Sequence, residues 1–445
     1  MLIQTKKIIR DLGEGLILRH GSPEDGEALA LFNGEQLGDG GLASLDGQGL
    51  AAMTRDLFSR PHVTLTPHDF TIVEETSSGR IVSAMCLIPQ TWTYEGIEFG
   101  MGRPEYVATH PDFRKRGLIR AQFDVVHQWC VERGLMVQGI TGIPYFYRQF
   151  GYEFALNLGW RRYGSVPPKL KEGETEKFVL RPAEEKDIPF IMSLYEYGCK
   201  RSMISAKWTQ EHWHNNLYEM SGDNIQRLEF RVIERAESRE PVGYLAHAHR
   251  LVMSGAFATH FELVPGVSWL EVSPVVARYL WNAGQEYAQV ENKPCEIFSF
   301  AFGARHPAYD ALGIVLPGFL EPYAWYLRVP DLIGFLNHIK PALEKRLAES
   351  IACGHSGEYL IGMYPKGIKL ILERGRIEFE PWKPDHADHG NAGFPALTFL
   401  QILFGYRSFE ELKYAFPDCW WDDDGTRIVV NALFPKKYSN VYGIV

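Results

Sequence analysis

Apolar residues along the chain switch between two-residue spacing and spacings of three and four, and the switches outline its elements. Near the start, "GLILRHGSPEDGEALALFNGEQLG" reads as a short strand ending in Leu18-Arg19, then a helix with apolar positions at Ala28, Leu31 and Phe32. The pattern returns from Phe178, where "FVLRPAEEKDIPFIMSLYEYG" gives a strand ending in Leu180-Arg181 and a helix carrying Ile188, Ile191 and Leu194. In both copies an aspartate (Asp25, Asp187) follows six residues after the arginine. That position is the helix cap or first turn, where negative charge suits the helix dipole. Each opening leads into two apolar strands around a polar turn, "DFTIVEETSSGRIVSAMCLIP" and "LEFRVIERAESREPVGYLAHAHR". The matching order predicts an internal duplication.

The Pro-, Gly- and charge-rich linker "VPPKLKEGETEK" (166–177) separates the copies. A third segment opens near Val329 with the helical pattern "DLIGFLNHIKPALEKRLAES". A hairpin follows, "GIKLILERGRIEFEPW", with its tight turn at Arg374-Gly375. Next come a helical stretch, "FPALTFLQILFGYRSFEELKYAF", and a strand expected after a turn at Asp424-Gly425. The pattern therefore predicts an α/β chain of three units: related α/β units at 1–165 and 178–328, and a smaller α+β unit at 329–445. The Gly-rich stretch "NGEQLGDGGLASLDGQGL" reads as a mobile segment bordering a site in the first unit.

Composition narrows the class. With 445 residues, 45% of them hydrophobic, the chain has ample material for several cores. A net charge of −9 argues against nucleic acid as a partner, so any basic cluster is a local feature. Cysteines 86, 130, 199, 295, 353 and 419 show no paired spacing, which fits reduced thiols in a cytoplasm rather than a disulfide framework or a zinc site. The histidines form no HExxH pattern, and His212-x-His214 alone is a weak metal signal. No apolar run is long enough to span a bilayer. The expectation is a metal-free, cytoplasmic protein without membrane association.

One stretch carries chemistry. In "YVATHPDFRKRGLIRAQF" a strand through Val107, Ala108 and Thr109 ends at Pro111, and Arg114, Lys115 and Arg116 precede Gly117. A helix then begins through Leu118, Ile119 and Arg120, with Ile119, Phe123, Val126 and Cys130 on one apolar side. A helix N-terminus presents unpaired N–H groups and a positive dipole end, Gly117 lets a ligand approach the backbone, and four basic side chains add charge. That combination makes a pyrophosphate site; a solvated basic turn is the plainer reading. About thirty residues on, "YFYRQFGYEFA" sets Tyr147 three residues before Phe150-Gly151-Tyr152. A core tyrosine beside a cap glycine would also explain that segment.

Together, in this order and spacing, the two motifs resemble those of the GNAT N-acetyltransferases. Arg114-Lys115-Arg116-Gly117-Leu118-Ile119-Arg120 resembles the pyrophosphate loop of the Eis (enhanced intracellular survival) type, which also has two GNAT-like units followed by a sterol-carrier-protein-like domain. The resemblance implies tandem mixed sheets with flanking helices and acetyl-CoA as cosubstrate, its thioester carbonyl polarised by strand N–H groups near Val107, Ala108 and Thr109. The same resemblance implies Tyr147 as general acid for the CoA sulfur, ahead of Tyr145 and Tyr152, and the terminal carboxylate of Val445 as base. A primary amine, on a small molecule or a lysine, would be the acceptor, and the oligomer would be homomeric, with hexamers common in that group. Glu35, Asp39, Asp46 and Glu95 read as ordinary loop carboxylates before they read as a lure for a cationic amine. The second copy offers a control: "FELVPGVSWLEVSPVVARYLW" lacks the basic loop, and "GARHPAYDALGIVLP" keeps Tyr309 without the Phe-Gly-aromatic step. One active site per chain is expected. The competing class is a non-catalytic GNAT-fold scaffold whose C-terminal unit binds a lipid or a partner.

Overall fold

The computed structural model describes residues 7–443. The first unit begins with β1 (Ile8–Gly13) and β2 (Leu16–His20), followed by α1 (Gly26–Leu37) and α2 (Leu45–Ser59). β3 (Phe70–Glu75), β4 (Arg80–Tyr94) and β5 (Ile97–Thr109) extend an antiparallel sheet. α3 (Leu118–Glu132) then crosses over to β6 (Val137–Ile140), which lies parallel to β5 as such a crossover requires. β7 (Glu153–Leu158) and β8 (Arg161–Gly164) complete the unit. The central strands β3 and β4 are buried on both faces. Val73, Val82 and Leu87 pack against Phe123, Val126 and Cys130 of α3, whereas Ile72, Ile81 and Ala84 pack against Leu29 of α1 and Met53 and Leu57 of α2. Continuous apolar runs are what a sheet covered on both sides needs.

Two expectations change here. α1 buries Leu29, Phe32 and Asn33, leaving Ala28 and Leu31 exposed, so its inward face is rotated from the one expected. The Gly-rich stretch is mostly helical, and its glycines serve close packing. A Cβ on Gly34 would stand 2.6 Å from the Gly47 carbonyl oxygen, and one on Gly38 would stand 2.3 Å from the Gly47 Cα. Side chains there would push α1 and α2 apart.

The second unit runs β9 (Phe178–Pro182), α4 (Ile188–Cys199), β10 (Ile204–Ala206), α5 (Gln210–His214), β11 (Leu228–Arg235), β12 (Pro241–Ala248) and β13 (Gly255–Leu263). It continues through α6 (Trp269–Glu291), β14 (Ile297–Phe300), α7 (Pro307–Leu312), β15 (Gly318–Leu320) and β16 (Tyr323–Arg328). The duplication extends to a buried charge cluster. Arg19 grips Asp25 through two bonds of 2.8 Å and reaches Glu74 on β3; Arg181 repeats this with Asp187 and with Glu234 on β11. Each aspartate also accepts from a backbone N–H at the helix entry, of Ser22 or Glu184.

The two units exchange their last strands. β8 lies between β14 and β15 in the second sheet, and β16 lies between β6 and β7 in the first. Equivalent strands offer equivalent pairing edges, so trading them preserves every ladder while interlocking the units, an intrachain form of domain swapping. Divisions drawn at 165 and 328 therefore cross both sheets.

The C-terminal unit comprises α8 (Leu332–His338), α9 (Lys340–Ala348), β17 (Gly357–Met363), β18 (Lys366–Glu373), β19 (Arg376–Trp382) and β20 (Ala392–Gly393). α10 (Phe399–Leu403), α11 (Phe409–Ala415), β21 (Trp420–Trp421) and α12 (Asp424–Leu433) follow. The β18–β19 hairpin turns at Arg374-Gly375 as expected, with both residues at positive φ. The strand expected after Asp424-Gly425 is instead α12. Asp423 caps it by accepting from the Thr426 N–H, and Val429, Val430 and Leu433 form its buried face. This unit shares one core with the others: Tyr94 and Phe99 from the far end of the β4–β5 hairpin pack with Phe335 and Phe404.

Candidate active site

A bulge interrupts β5 at Tyr106 and Val107, just before Ala108 and Thr109 resume the pairing with β4. Ala84 faces Ala108 and Cys86 faces Glu105, so β5 uses one more residue than β4 over the same span, and Tyr106 adopts φ 55°. A bulge bends its strand and takes N–H groups out of the regular ladder. On its other side β5 pairs with β6 only at Met101–Val137 and Gly102–Gln138. Beyond those rungs the β5–β6 pairing does not continue toward the bulge among the described residues, which leaves that edge of β5 without a strand partner. A buried polar network fixes the geometry. Ser83 Oγ lies 2.7–2.8 Å from Ala108 O, Thr109 Oγ1 and Gln122 Oε1, while the Gln122 amide donates to Thr71. Gln122 is a polar residue on the apolar side of α3, and that interruption was the sequence signal for the network.

The basic loop enters α3 through two left-handed residues, Lys115 (φ 64°) and Gly117 (φ 74°). Gly117 is the helix N-cap and meets nothing within 4 Å of a Cβ position, so its requirement here is conformational. The first helical bond runs from Ala121 N–H to Gly117 O. Leu118, Ile119 and Arg120 therefore present their N–H groups outward. Arg114 donates to Thr109 O at 3.3 Å, joining loop to bulge. Arg116 lies over Phe113 and 3.5 Å from Glu14, and Lys115 is exposed. Arg120 donates to Gln149 Oε1 at 2.9 Å and lies over Phe150, which ties the loop to the Tyr147 segment.

Tyr147 sits in a 3-10 turn (Phe146–Phe150) and is buried among aromatic rings. Phe123 of α3 stacks on Phe150 at 4.4 Å and meets Tyr147 edge-on, so one helix carries the cradle at its start and supports the tyrosine one turn later. Tyr326 of the exchanged strand β16 packs against Tyr147 from the other side at 5.4 Å. Burial pushes the Tyr147 phenol well above the ordinary tyrosine range, and the nearby Glu105 carboxylate adds to the shift. Its neighbours are differently placed: Tyr145 is exposed, and Tyr152 shares a 2.9 Å hydrogen bond with His127.

Glu105, two residues ahead of Val107, pairs with Arg103 at 2.5 Å and is a carboxylate of this site that sequence patterning did not single out. Val445 lies outside the described residues. The tail up to Gly443 runs toward the site: a Cβ on Gly443 would stand 2.6 Å from Arg103 Nη1 and 3.2 Å from the Trp325 ring. The other acidic residues have structural partners. Glu95 pairs with Arg346 and Lys437, Asp46 accepts from Asp39 N–H and pairs with Arg250, and Glu35 accepts from Leu42 N–H.

The second unit lacks this arrangement. β13 and β14 pair over four rungs from Gly255–Ile297 to Ala258–Phe300, and Ala301 N–H adds a bond to Ala258 O. Trp269 begins α6 and packs on Phe261 and His306. The Tyr309 hydroxyl is engaged with Phe300 O and Phe302 N–H. Among the described residues no cluster of His, Cys, Asp or Glu suits a metal ion, and no helix is long and apolar enough to cross a membrane.

Residues 53–155 match the model of the acetyltransferase (GNAT) domain, a range that holds the end of α2, the bulged strand, the cradle and Tyr147. A comparison with curated proteins finds no match. Solved structures share the fold over nearly the whole length. A GCN5-related N-acetyltransferase from Kribbella flavida aligns with TM-score 0.62 and 14% identity, covering 97% of this chain and 98% of that one. One from Anabaena variabilis gives 0.61 and 13%, covering 96% and 99%. Eis1 from Mycobacterium abscessus gives 0.54 and 13%, covering 95% and 98%. The first unit has a GNAT-like fold within a mixed α/β chain.

Proposed function

We propose that the chain is an acetyl-CoA-dependent N-acetyltransferase acting in its first unit by direct attack of a primary amine, with the three-unit plan of the Eis type. The observation that carries this reading is the convergence on α3, whose N-terminus is the cationic cradle and whose Phe123 supports Tyr147. Arg114, Lys115, Arg116 and Arg120, with the N–H groups of Gly117, Leu118 and Ile119, hold the pyrophosphate. The bulged end of β5, through Val107, Ala108 and Thr109, orients the thioester carbonyl, and its N–H groups stabilise the oxyanion that forms when the amine adds. Collapse breaks the C–S bond, and Tyr147, kept protonated by burial, supplies the proton to the departing thiolate.

The amine must lose a proton, and we assign this to the terminal carboxylate of Val445. The course of the tail supports it, since Gly443 already lies against Arg103. Glu105 is the second reading, favoured by its field at Tyr147. Extending the chain beyond Val445 inactivates the enzyme in the first case; Glu105→Gln does so in the second. The division into 1–165, 178–328 and 329–445, a sterol-carrier-like C-terminal unit, a homo-oligomer and a cytoplasmic location belong to the same reading. Free-thiol release from acetyl-CoA across a panel of polyamine, aminoglycoside and lysine-peptide amines tests it. Amine-dependent thiol release is expected; binding of acetyl-CoA without release for any amine would favour the scaffold alternative.

A further inference from the structure

The second unit, without a cradle, holds a cavity of about 550 Å³ at the end of β13 and β14, on the side where the first unit leaves the β5 edge without a strand partner. A cavity of this size lies in the range of small-molecule sites. Its deep wall carries two buried polar atoms that make no hydrogen bond among the described residues, the Tyr244 hydroxyl and Glu262 Oε2. Tyr244 is 0% exposed and Glu262 7%. Groups so buried carry a desolvation cost when left unmatched, which points to a hydrogen-bonding occupant. The other oxygen of Glu262 is bound by Arg201, so the carboxylate's charge is countered while its free oxygen still accepts.

The outer wall has the opposite character. Arg305 and Lys436 are exposed there, and both cations lie against the ring of Tyr438. Of the four cations in the lining, Arg201 is countered by Glu262, Lys436 pairs with Glu411 and Lys437 with Glu95, so Arg305 is the one that makes no ion pair among the described residues. The C-terminal tail closes one side: Ser439 Oγ accepts from Ile204 N–H and Asn440 donates to Ala301 O.

We propose that this cavity is a second binding site, separate from the acetyl-CoA site, for a small hydroxylated anion. Its hydroxyl groups meet Tyr244 and Glu262 at the floor, and its carboxylate or phosphate meets Arg305 and Lys436 at the mouth. The shared chemistry is a hydroxyl-bearing anion, and two probes separate its sources: citrate for carboxylates and glucose 6-phosphate for phosphate esters.

Isothermal titration of the full-length protein with each probe tests the site. At least one probe binds the wild type, and Kd rises at least tenfold both in Arg305→Glu, where an exposed charge is reversed, and in Ala304→Trp, where the mouth is filled. Arg116→Glu, which alters only the cradle of the first unit, leaves this binding intact. Bound probe also slows amide exchange in residues 438–442. Failure of both probes to bind, binding lost in Arg116→Glu but indifferent to the two cavity variants, or unchanged exchange in the tail would each overturn the proposal.

Discussion

At the residue scale, the chemistry rests on Tyr147 and the groups around it. Tyr147→Phe removes one oxygen from a ring held by Phe123 and Tyr326, so the fold and the cradle stay in place. Turnover falls roughly 10²-fold or more, the scale of a lost general acid, with acetyl-CoA affinity unchanged; steady-state kinetics beside calorimetry separate the two. Because burial raises this phenol, the acid form persists above the ordinary tyrosine range of about 10. The pH–rate profile of kcat therefore rises as the base deprotonates and shows no falling limb through about pH 9. A limb falling between pH 7 and pH 9 would assign the acid role to another group. The cradle and Tyr147 were legible in the sequence because each is a compact run with its own backbone signal. Glu105 and Ser83 were not, because their roles come from neighbours elsewhere in the fold; Gln122 alone left a trace, as a polar break in the apolar side of α3.

At the element scale, the two arginine clusters give a matched comparison. The Arg19 side chain is 1% exposed and holds two buried carboxylates, whereas that of Arg181 is 21% exposed in the same geometry. Arg19→Met strands Asp25 and Glu74 and costs roughly 3–5 kcal/mol. Arg181→Met costs clearly less, because water already reaches the Arg181 side chain and Glu234 keeps Arg239 as a second partner. Urea denaturation of both variants measures the difference, and equal losses would contradict the role of burial. Strand–helix–hairpin order and the repeated Leu-Arg were readable from spacing alone. The inward face of α1 was not, since Ala28 and Leu31 satisfy the same periodicity as Leu29 and Phe32. Nor was α12: Asp-Gly suggests a turn, but Asp423 one position earlier supplies a cap, and Val429, Val430 and Leu433 supply a helical face. The glycines of 33–50 mimic a mobile loop in composition and are a helix–helix contact in space.

At the scale of the whole molecule, the exchanged strands make the first two units interdependent. No single sequence displays this, because β8 and β16 fit either sheet equally well by pattern. Residues 1–165 expressed alone lack β16, leaving β6 and β7 without their shared partner, and the fragment fails to give a cooperative unfolding transition. A folded, monomeric fragment would contradict that interdependence. Acid stability is a second global property. Burial lowers His127, His247 and His260 each to about 4, with Arg328 adding to the effect at His127. The unfolded chain binds these protons near pH 6.5 and the folded chain does not, so stability is complete above about 6.5 and falls as pH drops toward 4. The slope reaches up to about 4 kcal/mol per pH unit for three such groups. The melting temperature therefore declines steeply across that window, and a flat profile there would show that these histidines titrate normally. The central claim, one acetyl-CoA site per chain at the start of α3, is tested most directly by calorimetric titration of wild type and Arg116→Glu with acetyl-CoA. The account predicts a stoichiometry of one in the wild type and at least about a tenfold loss of affinity in the variant, as reversing a phosphate-binding charge requires. Two sites per chain, no binding, or equal affinity in both proteins would contradict it.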